Sequence, residues 1–123
     1  MTVKENVVIS KEMIKSFIKV VGDNNPLHWD EEFCKSTNFK KPIAHGALLT
    51  ALFSKLIATK FPGKGSIYLS QSIEFKKPCF IGDEISVNVK LIKKEGNKYF
   101  LSTYIKNSQN ELLLDGKALV LNK

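Results

Sequence analysis

Ala44-His45-Gly46-Ala47-Leu48-Leu49-Thr50-Ala51-Leu52-Phe53-Ser54-Lys55-Leu56-Ile57-Ala58-Thr59-Lys60-Phe61 is the stretch whose reading decides the fold. Its residues suit a helix, and Pro62-Gly63 breaks it. Ala47, Leu48, Leu49, Ala51, Leu52, Phe53, Leu56, Ile57 and Ala58 cover nearly its whole circumference. A helix apolar all round in a soluble chain must be wrapped on most sides. The rest of the chain has to supply the wrapping.

The residues that follow read as strands. Ser66 to Phe75 is the first, and Lys76-Lys77-Pro78 breaks it. After a turn at Gly82-Asp83, Glu84 to Lys94 alternates through Ile85, Val87, Val89 and Leu91. Gly96-Asn97 reads as a hairpin turn into Lys98 to Lys106, and Leu112 to Leu121 is the last strand. An antiparallel meander after a buried helix predicts an α+β fold, a curved sheet wrapped around that helix. Ahead of the helix, Val7-Val8-Ile9 reads as a short strand. Ser10 is a helix N-cap, and Met13, Ile14, Phe17, Ile18 and Val21 follow at helical spacing up to a stop at Gly22. Asp30 caps a short second helix through Glu31, Glu32 and Phe33.

At 123 residues the chain has the size of one domain, expected to span residues 1–123. It has no apolar run long enough for a bilayer and no signal-peptide pattern at its start, which predicts a cytoplasmic protein without a membrane partner. Cys34 and Cys79 have no metal spacing and read as buried thiols. The net charge of +7 favours anionic partners. All 19 basic residues are lysines, scattered from Lys4 to Lys123. The absence of arginine, the side chain that best grips phosphates and guanine edges, argues against nucleic acid as a partner.

Two segments could carry chemistry. In Gly22-Asp23-Asn24-Asn25-Pro26-Leu27-His28, a carboxylate and an imidazole lie close together around a stiff proline. Such a pair can hold one water from two sides. The same residues are also those of an ordinary turn. In Pro42-Ile43-Ala44-His45-Gly46, the Gly46 N–H opens the helix and could donate to a carbonyl oxygen, or the glycine could serve close packing alone. His45 reads as a hydrogen-bonded structural group. Ser54 lies within the helix on a face that could line a cavity. No metal-ligand cluster, phosphate-cradling glycine loop or nucleophile elbow is present in the sequence.

The stretch Gly22 to Asp30 resembles the signature loop of the (R)-specific enoyl-CoA hydratases, within the MaoC-like dehydratases of the hot-dog fold. The resemblance continues through Pro42-Ile43-Ala44-His45-Gly46, Pro62 to Leu69, Gln71, Phe75, Pro78 and Gly82-Asp83-Glu84. Order and spacing fit from about Ser10 to Val89, and the final strands fit in pattern. The resemblance implies a hot-dog homodimer with sheets joined edge to edge. It implies reversible hydration of a trans-2-enoyl-CoA thioester to the (R)-3-hydroxyacyl thioester. Asp23 would be the base on water. His28 would position that water and pass a proton to the α-carbon. Asn25 would orient the loop, and the Gly46 N–H would be the oxyanion donor. Ser54 and Ile57 would line the acyl pocket. No cofactor is implied beyond the coenzyme A of the substrate, and no metal. Three rival readings remain: a dehydratase on acyl-carrier-protein thioesters, an acyl-CoA thioesterase, and a non-catalytic acyl-thioester binding protein.

Overall fold

The computed structural model describes residues 1–123. Strand β1 (Thr2–Val8) leads into helix α1 (Lys11–Val21), a single 3-10 turn (Pro26–His28) and the short helix α2 (Glu31–Cys34). The long helix α3 (Gly46–Thr59) follows, then β2 (Ile67–Phe75), β3 (Glu84–Glu95), β4 (Lys98–Asn107) and β5 (Leu112–Leu121). The five strands form one antiparallel sheet in the order β1-β3-β4-β5-β2. This is the sheet-around-a-helix arrangement expected from the apolar helix and the meander.

The core forms where α3 meets the concave face of the sheet. Leu48, Leu49, Phe53, Leu56 and Ile57 of α3 are buried with Val87, Val89, Leu101, Ile105, Leu114 and Val120 of the strands. Each side chain of this kind, fully buried, stabilises the fold by about 2 kcal/mol. The strand residues belong to the inward phase of the two-residue alternation. Cys34 and Cys79 are both free and buried. No helix is long and apolar enough to cross a membrane.

The largest boundary differences from the sequence reading are in α3 and β1. Helix α3 spans Gly46–Thr59 rather than Ala44 to Phe61. Ala44 is held outside it because its N–H donates to the Cys79 carbonyl, at 2.8 Å, and His45 is extended with ψ 131°. β1 begins at Thr2, because a strand with polar Thr2, Lys4 and Asn6 on its outward face still pairs through its backbone with β3. α3 is also less wrapped than its composition implies. The sheet covers one side, while Ala47, Ala51, Ser54 and Ala58 form an exposed stripe on the other.

Candidate active site

Gly22 ends α1 with φ 83°, a left-handed conformation that a side chain disfavours, and its N–H bonds the Ile18 carbonyl at 2.7 Å. The chain then turns sharply into Asp23. The loop is fastened by short polar contacts. The Asn25 N–H donates to Asp23 Oδ1 at 3.2 Å, and Asn25 Oδ1 in turn accepts the Leu27 N–H at 3.2 Å. Asn25 thus caps the Pro26–His28 turn, and its side chain bonds the backbone rather than Asp23 or His28. The Trp29 indole N–H donates to the Asn24 carbonyl at 2.8 Å. These bonds fix the distance between Asp23 and His28 along the loop.

His28 Nδ1 lies 2.7 Å from the Ile43 carbonyl. A carbonyl only accepts, so Nδ1 carries the proton and Nε2 is left as the basic atom. Burial pushes the His28 pKa below the ordinary histidine value, and the neighbouring His45 adds to that. The Ile43 carbonyl and the Asp23 carboxylate oppose the shift without cancelling it. The net effect favours a neutral imidazole near pH 7. A carboxylate oxygen of Asp23 and one nitrogen each of His28 and His45 lie within 4.8 Å of one another. One water bonded to two groups spans about that distance.

The cleft beside this loop has a volume of about 370 Å³. His28 and Gly46 both line it, with Leu49, Phe39 and Phe75 giving an apolar wall. Gly46 is the first residue of α3, so its N–H has no partner within the helix and carries the positive end of the helix dipole. The missing side chain matters sterically as well. A Cβ there would lie 2.5 Å from the Phe75 ring, which packs over the helix start. Imidazole, free N–H and apolar wall therefore face one space.

Not every expected residue meets there. Asp23 lies on the exposed side of the loop and is not part of the cleft wall. Ser54 sits in the exposed small-residue stripe of α3, and Ile57 is 2% exposed within the core. Neither lines the cleft as one chain forms it. Local sequence patterns do not place Phe39, Phe75, Lys76 and Lys77 on the cleft, because Phe39 comes from the connection before α3 and the others from the end of β2 and the connection after it. Lys76 is paired with Glu74 at 2.7 Å, and Lys77 with Glu111.

The family model described as MaoC like domain matches residues 1–109. The chain belongs to the MaoC-like family. It is 42% identical over 109 residues to an (R)-specific enoyl-CoA hydratase of Aeromonas caviae, covering 87% of this chain and 81% of that one. It is 37% identical to a mitochondrial 3-hydroxyacyl-[acyl-carrier-protein] dehydratase of Arabidopsis thaliana, covering 96% of this chain and 73% of the relative. The solved structure of an (R)-hydratase from A. caviae involved in PHA biosynthesis superposes with a TM-score of 0.97. That match has 36% identity and covers 100% of this chain and 95% of the other. The MaoC-like fold seen here is the hot-dog fold, an antiparallel sheet around one long helix.

Proposed function

We propose that this chain is an (R)-specific enoyl-CoA hydratase, adding water reversibly to a trans-2-enoyl-CoA to give the (R)-3-hydroxyacyl-CoA. The observation that carries the reading is that an Asp23 carboxylate oxygen and a His28 nitrogen lie within 4.8 Å of each other, while His28 and Gly46 line one cleft. Hydrolysis by a thioesterase has no need of that paired geometry. The similarity to the A. caviae hydratase, at 42% identity, supports the same reaction.

In this scheme one water donates a hydrogen bond to the Asp23 carboxylate and another to His28 Nε2. Its oxygen bonds the β-carbon while its proton passes to the pair. The C2–C3 π electrons move toward the thioester carbonyl, and the Gly46 N–H stabilises the charge on that oxygen. Losing such a donor typically costs about 3 kcal/mol of barrier. The enolate then takes a proton at the α-carbon. Resting His28 holds its proton on Nδ1, so Nε2 can hand one on only after receiving one. The proton delivered to the α-carbon is therefore one the pair has taken up. Dehydration runs the same steps backwards.

The proposal includes a homodimer. β2 is an edge strand, and Ile67, Leu69 and Phe75 on it are exposed apolar residues. A second copy at this edge would complete an acyl pocket near Ser54 and Ile57. The free buried thiols suit a reducing cytoplasm. The substrate's own coenzyme A is the sole cofactor required. A second reading, a dehydratase on acyl-carrier-protein thioesters, draws support from Lys76 and Lys77 on the cleft and from the net charge of +7.

The test is hydration of crotonyl-CoA, followed by loss of enoyl-thioester absorbance, with product trapped by an (R)-specific 3-hydroxyacyl-CoA dehydrogenase. Fast turnover to (R) product is expected. Turnover confined to the matched carrier-protein thioester would transfer the assignment to the second reading. Release of free thiol without hydration would replace it with a thioesterase.

A further inference from the structure

His45 is 2% exposed and makes three connections that meet at the reacting centre. Its Nε2 lies 3.0 Å from the backbone carbonyl of Asp23. Its ring stacks on that of His28, with centroids 3.7 Å apart and planes 24° from parallel. Its own main chain runs directly into Gly46, and its carbonyl accepts the Leu49 N–H at 3.2 Å in the first turn of α3. One side chain thus touches both ends of the loop, while its backbone belongs to the helix start. Phe17 of α1 also packs edge-on against the imidazole, with ring centroids 4.9 Å apart.

The nitrogen assignments follow from the partners. The Asp23 carbonyl can only accept, so His45 Nε2 carries the proton. His45 Nδ1 is buried with no hydrogen-bond partner. Left unpaired at that depth, this acceptor nitrogen carries a desolvation cost of its own. A residue kept only for packing would be better served by an apolar ring. The donor on one edge and the flat face toward His28 are the features an apolar ring could not both provide.

We propose that His45 is a positioning residue. It sets the spacing between the Asp23–His28 pair and the Gly46 N–H by tying the loop's carbonyl and imidazole to the start of α3. Its Nε2 is engaged by the Asp23 carbonyl, and the residue is not part of the cleft wall. Attack at the β-carbon and charge at the thioester oxygen must be served at once, so this spacing acts on the transition state. A misplacement of about 1 Å can cost about a hundredfold in rate. The inference rests on the hydratase reading given above.

The experiment compares wild type with His45→Phe, His45→Gln and the core variant Val120→Ala in crotonyl-CoA hydration, well below each melting temperature. His45→Phe keeps a flat ring and loses the donor. His45→Gln keeps a donor near the Nε2 position. Val120→Ala lowers stability far from the loop. The expected result is a kcat loss of about 10- to 100-fold in His45→Phe with KM within about threefold, at least fivefold recovery in His45→Gln, and unchanged kcat in Val120→Ala. Wild-type kcat in folded His45→Phe would overturn the proposal. Equal loss in His45→Phe and His45→Gln would overturn it too. Should His45→Phe not fold, nitrogen NMR of the wild type decides. His45 as the Nε2–H tautomer is required, and the Nδ1–H tautomer overturns the proposal. An inactive wild type would instead remove the hydratase reading, so the two failures are distinguishable.

Discussion

The loop from Gly22 to Asp30 and the centre of the sheet are held in place by different physics. In β3 and β4, Val87, Val89, Leu101 and Ile105 are all fully buried against α3. Their positions follow from close packing, which is cooperative and insensitive to any one polar contact. The loop has exposed residues from Gly22 through Asn25 and no apolar side chain of its own in the core. Its shape depends on individual hydrogen bonds, each worth about 1 kcal/mol to stability. The difference separates the two tasks of the molecule. Apolar volume keeps the chain folded, and a few fixed polar contacts aim the reactive groups. Substitutions in one region should therefore change stability, and in the other, rate.

The strongest way to break this separation is Asp23→Asn. It removes the carboxylate charge while keeping the size and the bond from the Asn25 N–H. Hydration should slow by about a thousandfold, within the range for a general acid–base group, with the melting temperature nearly unchanged. A large fall in melting temperature would mean that the loop carries fold stability after all. The mirror-image change is Leu101→Ala in β4. Denaturant unfolding should show a loss of about 3 kcal/mol, while kcat of the folded enzyme stays at the wild-type value.

A smaller effect belongs to the seam between the two regions. Gly46→Ala puts a methyl against the Phe75 ring, whose far edge can swing aside into the cleft. KM should rise about tenfold, equivalent to about 1.4 kcal/mol, with little change in stability. Unaltered kinetics would show that the cleft is not the substrate's route. The mildest test is pH. Burial lowers the His28 pKa, so neutral imidazole persists to more acidic pH than for an ordinary histidine near 6.5. The acid limb of hydration should have its midpoint below that value. The unfolded chain binds more protons than the folded one in this window, so stability should also fall as pH drops from about 6.5 through the folded pKa.

The same contrast explains what the sequence disclosed. Packing leaves a periodic trace. The alternation through Ile85, Val87, Val89 and Leu91 and the apolar circumference of Ala47 to Ala58 were enough to expect the sheet and its helix. Backbone hydrogen bonds leave less. The end of α3 at Gly46 depends on Ala44 bonding Cys79, a contact across 35 residues that no local pattern encodes. Asp23, Asn25 and His28 were legible because they lie on one short loop with a motif. The sequence marks His45 as a hydrogen-bonded group, but its stack on His28 joins residues 17 positions apart, which no local pattern encodes. Ser54 faces open space, because helical periodicity says which residues share a face and not what covers it.

The most direct test of the account is a double-mutant cycle on Asp23 and His28, measured as kcat for crotonyl-CoA hydration. If the two groups hold and deprotonate one water together, Asp23→Asn plus His28→Ala should be no slower than the worse single variant by more than a few fold. Losses that multiply in full would mean two independent contributions, and would contradict a single water held between them.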